Sequence, residues 1–334
     1  MTASNAFANV FGNLRRGRAL DLTGIGGIWP ASLTPFDRDG AVDEAALTAH
    51  LGHLAAAPGV RALVVNGHAG ETSALDRAER QQVVRIARAV AGAATGVVAG
   101  IVAEDPRAAS ALARDAREAG ADALLLFPPL LFAGGAEARP EMVLRFFAAV
   151  AEAAPLPIVL FQLSRASGLG YAPELLARLL REVPSIIAVK EGSEIPAAYE
   201  DNLLVLRDCG RQVSMLTSNN TWLLASLAFG GDGILSGIGS VAPGILAEMH
   251  DAAARGDLAA ARRANDRLRP LVRVFYRRPS LDMHNRMKTA LNLMGLLPNP
   301  APRAPLLPIT EGERAEIRRA LVASGLLAGG EMAA

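Results

Sequence analysis

From Ile28 onward the chain alternates short apolar runs with longer amphipathic, alanine-rich ones. Each such pair reads as one βα unit, and their repetition predicts a parallel sheet. The apolar runs place strands at 28–33, 62–66, 96–101, 123–127, 158–161, 186–190, 213–217 and 233–236. The helices between them carry end signals. Asp43 can cap the first, with Glu44 in its opening turn; Pro106, directly after Asp105, stands where a first helical turn accepts proline; Gly120 reads as a helix stop. Strands with helical crossovers in this number predict an α/β fold of the closed kind, an eight-stranded parallel (β/α)8 or TIM barrel, over an open doubly wound sheet. A dinucleotide-binding sheet is further disfavoured because no Gly-x-Gly-x-x-Gly follows the first strand. Beyond Val241 the pattern is helical only, to about Leu327, with breaks at Pro298, Pro300, Pro302 and Pro305. The expected organisation is an N-terminal arm over 1–26, the barrel over 27–242, and a segment over 243–334 that holds the last barrel helix and a C-terminal helical extension.

Composition narrows the class. A length of 334 residues suits one such barrel with extra helices. With 51% hydrophobic but only 4% aromatic residues, the core must be built from Ala, Leu, Val and Ile. A net charge of +1, with both signs spread along the helices, leaves no basic footprint for nucleic acid, so a small-molecule partner is expected. No apolar run is long enough to span a bilayer, so no membrane association is expected, and the single Cys209 excludes an internal disulfide framework and a Cys-rich zinc site. The first 27 residues lack the apolar centre of a secretory signal, and a cytoplasmic location is expected. Arg15, Arg16 and Arg18, with few acids around them, keep an organellar transit peptide open beside a flexible arm or an oligomer contact.

In a barrel of this kind the chemistry belongs to strand ends and the loops that follow them. Those loops read Gly67-His68-Ala69-Gly70-Glu71 after the second strand, Phe161-Gln162-Leu163-Ser164-Arg165 after the fifth, Ser218-Asn219-Asn220 after the seventh and Gly237-Ile238-Gly239-Ser240 after the eighth. Glycines let backbone N–H groups approach an anion, so the second and eighth loops could hold a carboxylate or phosphate. The sixth strand carries the sharpest signal. Ile186-Ile187-Ala188-Val189-Lys190-Glu191-Gly192 puts a lysine at the end of a buried run, in a chain whose 34 Lys and Arg residues include lysine only at Lys190 and Lys288. Arginine keeps its proton near neutral pH, whereas a desolvated lysine can lose it and attack a carbonyl. The alternative is a lysine that extends its head to solvent or pairs with Glu191.

Other residues point less directly to chemistry. His50 and His53 have a spacing a metal could use, but no third ligand accompanies them, and a solvated helix face is expected. Trp29 is expected in the barrel core, and Arg273, Arg277 and Arg278 with Tyr276 on an interface or a solvated face. Asn219 and Asn220 either reach the substrate or cap the seventh helix.

Thr34-Pro35-Phe36 after the first strand, Gly67-x-x-Gly70-Glu71 after the second and Val189-Lys190-Glu191 in the sixth resemble the dihydrodipicolinate synthase and N-acetylneuraminate lyase family. Asp232-Gly233-Ile234 and Lys288-x-x-Leu291-x-x-Met294-Gly295 extend the likeness to about 27–297. The resemblance implies the same barrel with C-terminal helices, assembled as a tetramer or dimer. It implies a class I aldolase mechanism in which Lys190 attacks the ketone of a 2-oxo acid, commonly pyruvate. The iminium then stabilises the enamine formed as a carbon–carbon bond breaks or forms, with no cofactor beyond the lysine and no metal. It also implies that Gly67, Ala69 and Gly70 hold the substrate carboxylate, with Thr34, Phe161, Arg165, Ser218 and Leu235 around the substrate.

This chain departs from the family pattern at several of these positions. His68 and Ala69 stand where the family usually has hydroxyl residues, and Phe161 where it has a proton-shuttling tyrosine. The loop Pro128-Pro129-Leu130-Leu131-Phe132 lacks a tyrosine, and the Ser164-Arg165 pair is shifted by one position. His68 either takes over part of the acid/base work or only shapes the pocket. The losses argue against an authentic dihydrodipicolinate synthase and a standard sialic acid lyase. They leave a Schiff-base lyase of unassigned substrate, a dehydrating and decarboxylating enzyme of sugar acids, or a barrel that binds a small carboxylate without turnover.

Overall fold

The structure is a computed structural model that describes residues 26–92 and 94–328, so the expected N-terminal arm, apart from residue 26, lies outside the described residues. Its strands are β1 (Gly27–Pro30), β2 (Ala62–Val65), β3 (Gly96–Ile101), β4 (Ala123–Leu126), β5 (Ile158–Gln162), β6 (Ile186–Glu191), β7 (Ser214–Thr217) and β8 (Gly233–Ser236). All pair in parallel in the order β1-β8-β7-β6-β5-β4-β3-β2. Single bridges between Ile28 and Val60 and between Ala31 and Val64 close the ring between β1 and β2. The expected (β/α)8 barrel is thus the fold.

The helices on its outside are α1 (Glu44–Ala56), α2 (Arg77–Ala91), α3 (Pro106–Glu118), α4 (Pro140–Ala153), α5 (Pro173–Glu182), α6 (Pro196–Asp208), α7 (Leu223–Ala228) and α8 (Pro243–Ala254). The C-terminal helices α9 (Leu258–Phe275), α10 (Met283–Leu293) and α11 (Glu311–Ala323) follow. Local chemistry explains several starts. Asp43 Oδ1 accepts the Ala46 N–H at 2.9 Å, and Asp105 Oδ1 accepts those of Arg107 and Ala108 at 2.8 and 2.9 Å. Asp76 and Glu79 form a reciprocal capping box at α2.

Strand side chains alternate between two cores. Leu63, Val97, Leu124, Leu160, Val189 and Met215 face the helices, whereas Trp29, Val64, Val98, Leu125, Val159, Ala188, Leu216 and Leu235 fill the barrel interior. The interior core continues into α8 through α11 by way of Leu246, Leu268, Leu271, Phe275, Ile317 and Leu321. This parity fixes the site: Lys190, two residues after Ala188, points into the barrel, and Glu191 points out.

Strand ends differ from the sequence reading by a few residues. β1 stops at Pro30, after which Ser32 N–H still reaches the Val64 carbonyl at 2.8 Å but the chain turns over the mouth. β2 stops at Val65 because Asn66 adopts a φ of +57°. β5 and β6 each run one residue further, through the paired Gln162 and Glu191.

Candidate active site

Lys190 is 7% exposed at the end of β6, in register with Phe161 on β5 and Leu216 on β7. Its Nζ lies 4.2 Å from the centroid of the Phe161 ring and 5.9 Å from that of Phe127, and the two rings meet edge to face at 5.0 Å. Burial lowers the lysine pKa from 10.5 to about 7, and no carboxylate among the described residues opposes it. Glu191 does not: it faces the outer layer, where it accepts the Asn219 Nδ2–H at 2.6 Å and the Ser193 N–H at 3.2 Å. Burial raises the Glu191 pKa, and those hydrogen bonds pull it back. The pairing of Lys190 with Glu191 is therefore excluded by strand parity.

The loop after β2 lies across the mouth from Lys190. Its Gly70, Glu71 and Thr72 amides donate back to the Gly67, His68 and Gly67 carbonyls at 3.1, 3.1 and 3.4 Å. Among the described residues the amides of His68 and Ala69 have no acceptor, which leaves two adjacent donors for a carboxylate. Thr34 Oγ1 holds the loop by donating to the Gly70 carbonyl at 2.8 Å. Asn66 and Glu71, with φ of +57° and +54°, turn the chain into and out of it. Gly100 on β3 is needed beneath, because a Cβ there would run into the Asn66 carbonyl.

Glu71 anchors this loop to the C-terminal helices. Its buried carboxylate pairs with Lys288 of α10, with His284 Nε2 at 3.8 Å. Lys288 Nζ sits 4.2 Å above the Phe36 ring; burial lowers its pKa and the Glu71 charge opposes that. The second lysine is thus buried and committed to an ion pair.

His68 stands over the Phe127 ring at 4.6 Å between centroids and 6.1 Å from Phe161, so it and Lys190 flank the same aromatic pair. His68 remains exposed. Packing against the protein, then the Lys190 and His284 charges, hold its pKa below the ordinary 6.5. That shift favours the neutral imidazole. The sequence reading rested on a pKa near working pH, and packing first, then the neighbouring cations, change that.

The opposite rim is built from β7, β8 and α9. Ser236 Oγ donates to Asn220 Oδ1 and lies 3.1 Å from the Tyr276 hydroxyl, which accepts the Ile238 N–H at 3.1 Å. That bond occupies the eighth loop, so the second loop is the stronger carboxylate candidate. Asn220 Nδ2 donates to the Ser218 carbonyl at 2.7 Å, and neither Asn219 nor Asn220 caps α7.

Of the residues singled out from sequence, Thr34, Gly67, His68, Ala69, Gly70, Phe161, Lys190, Ser218 and Leu235 come together at the strand ends around the mouth. Arg165 does not: its side chain is 56% exposed, 3.8 Å from Glu137, and lines a small pocket with Tyr171 and Asp201. His50 and His53 are not a pair either. His50 is buried, with burial lowering its pKa to about 3, while His53 is exposed, and no metal-binding cluster occurs among the described residues. Trp29 is core. Sequence reasoning missed Phe127, whose inward parity with Leu125 was available, and Tyr276, whose approach to β8 depends on how α9 packs.

A buried lysine at the end of the sixth strand of a (β/α)8 barrel, its pKa lowered by burial, is the arrangement of a class I aldolase-type lyase. The dihydrodipicolinate synthetase family model matches residues 24–324, and the chain belongs to that family. In this family the substrate carbonyl is held as an imine on the lysine and no external cofactor takes part. The 4-hydroxy-tetrahydrodipicolinate synthase of Maridesulfovibrio salexigens is 30% identical over 301 residues, 90% of this chain and 99% of the relative. That of Methanothrix thermoacetophila is 31% identical over 305 residues, 91% and 98% of the two chains. Among solved structures, a monomeric dihydrodipicolinate synthase variant superposes with a TM-score of 0.84 at 25% identity, covering 92% of this chain and 99% of that one. The Agrobacterium tumefaciens dihydrodipicolinate synthase gives 0.80 at 29%, covering 91% and 99%. No helix among the described residues is long and apolar enough to cross a membrane.

Proposed function

We propose that this protein is a lyase that holds pyruvate, or a closely related 2-oxo acid, as an imine on Lys190 and makes or breaks the bond between C3 and C4 of a 4-hydroxy-2-oxo acid. The observation that carries this is the Lys190 amine, held between Phe127 and Phe161 with its pKa lowered to about 7, so that a large neutral fraction exists at physiological pH. The free amides of His68 and Ala69 receive the carboxylate, with Gly67, Gly70 and Thr34 shaping and holding the loop and Phe161, Ser218 and Leu235 lining the substrate. His68, neutral and across from the imine, accepts the proton from C3 or from the 4-hydroxyl. It stands in for the hydroxyl that Phe161 lacks. The relatives' printed activity supports the mechanism class, whereas Phe161, His68 and the displaced Arg165 support a different electrophile. We also place the enzyme in the cytoplasm as a homo-oligomer, in keeping with the family resemblance.

Borohydride trapping with a panel of 2-oxo acids, read by intact mass and peptide mapping, tests the reading. A stable pyruvate adduct on Lys190, lost in Lys190→Met, is the expected result; no adduct with any acid in folded protein would sink it. Phe161 is the one observation that favours a carboxylate binder without turnover, and that reading predicts trapping without any product. His68→Ala is expected to leave trapping intact and lower turnover about 100-fold, the lower end of what general acid–base catalysis supplies. Unchanged turnover would remove His68 from the chemistry.

A further inference from the structure

We infer that the aldehyde released or captured by this site carries an apolar group, aromatic or branched aliphatic, in place of a carboxylate or a polyhydroxylated chain. This rests on the imine reading above and adds the class of the second reactant. In an imine on Lys190, C4 of the substrate is three bonds from the nitrogen, roughly 4 Å away. The Phe161 ring stands in that shell, its centroid 4.2 Å from Nζ; the Phe127 ring lies next beyond it at 5.9 Å, with the His68 imidazole tilted against Phe127 at 4.6 Å between centroids. Leu163 continues the wall. A Cβ at Gly192 would lie 3.2 Å from Phe161 Cε2 and 3.6 Å from Leu163 Cδ2, so this wall crosses the end of β6. Below the amine the interior offers Val98, Leu125, Val159, Leu216 and Leu235.

Most cations near the mouth already pair with a carboxylate. Arg165 turns to Glu137; Arg277 pairs with Glu313 and Glu316; Arg286 is held by Glu313 and backbone carbonyls; Lys288 pairs with Glu71. Arg262, Arg269 and Arg273 line a groove of about 600 Å³ between α7 and α9 that reaches Asn220 and Tyr276 on the outer side of this rim, away from the Phe127 and Phe161 rings. The polar groups that do face the rim, Ser218, Asn220, Ser236 and Tyr276, are neutral, and the last three are bonded to one another. A polyol would find few free partners there, and a carboxylate would be desolvated with no counter-charge. An apolar group instead gains the aromatic faces.

The step balances without a further reactant. In the condensing direction the neutral Lys190 amine adds to the pyruvate carbonyl and water leaves. C3 loses a proton to give the enamine, and the enamine carbon bonds to the aldehyde carbon. The alkoxide takes up the proton, and water returns the amine and releases a 4-hydroxy-2-oxo acid. Cleavage runs the same steps in reverse, the C3–C4 electron pair passing into the iminium as the aldehyde departs.

The test uses the wild-type chain with pyruvate and one of benzaldehyde, isovaleraldehyde, succinic semialdehyde or glyceraldehyde, product being read by mass spectrometry. Borohydride trapping of pyruvate runs in parallel. The expected result is a pyruvate adduct on Lys190 and a kcat/KM for benzaldehyde or isovaleraldehyde about 100-fold above that for succinic semialdehyde. A trapped adduct with equal or greater rates for the anionic or polyhydroxy aldehyde, or with no aldehyde condensing at all, overturns the inference and leaves the imine reading standing. Failure to trap pyruvate removes both.

Discussion

Replacing Lys190 with methionine should make the folded protein more stable and its activity vanish. The lysine is folded into the barrel with its pKa displaced from 10.5 to about 7, by burial alone. At about 1.4 kcal/mol per unit, that displacement corresponds to a folding penalty of about 5 kcal/mol. The sign follows from proton binding. Between pH 7 and 10.5 the unfolded chain holds this proton more tightly than the folded one, so the penalty is complete below the folded pKa and is relieved as pH rises. Methionine fills much the same volume without a titrating group. Urea unfolding of both proteins, at one protein concentration, should show Lys190→Met more stable by several kcal/mol at pH 7. That excess should shrink by about 2 kcal/mol by pH 9. An excess that stays constant across this range would refute the reasoning, because it would mean that the amine is not desolvated in the native state.

Other outcomes follow from the same geometry. The rate of imine formation with pyruvate should rise with pH through about 7, as the neutral amine accumulates, and level off above it; stopped-flow trapping measures this. Glu71→Gln should cost about 3–5 kcal/mol, since it leaves the buried Lys288 charge unpaired, and Glu71→Gln combined with Lys288→Met should recover much of the loss in urea melts. Gly100→Ala forces the Asn66 carbonyl aside at the start of the carboxylate loop. Its expected mark is a stability loss of about 1–3 kcal/mol together with a raised KM for pyruvate; a normal KM would show that the loop does not depend on this close approach. Arg165→Ala, which removes a guanidinium that faces Glu137, should leave the KM of every substrate within about twofold, in keeping with surface ion pairs of small net worth.

What the sequence determined by itself is local and periodic. The alternation of apolar runs with amphipathic helices gave the strand count and hence the barrel, because burial on both faces of a parallel strand writes a continuous apolar run into the chain. The cap at Asp43 was legible because a capping carboxylate acts on an amide three residues away, whereas the Asp105 cap of α3 was read only through Pro106. Lys190 was legible because an ammonium inside an apolar run is costly, and the Gly67–Gly70 loop because paired glycines after a strand mark a tight backbone turn. Tertiary structure decided the rest. Whether Lys190 pairs with Glu191 depended on strand parity, which sends them to opposite faces. The commitment of Glu71 to Lys288, far apart in the chain, depended on where α10 docks, and so did the anchoring of the carboxylate loop. His68, read either as an acid/base group with an ordinary pKa or as a wall of the pocket, has that pKa lowered by packing and by the neighbouring charges. Arg165 turned to Glu137 at the surface, and Tyr276 reached Ser236 and Ile238 from a helix outside the barrel. These assignments depend on directions and distances between distant segments, which no local pattern encodes.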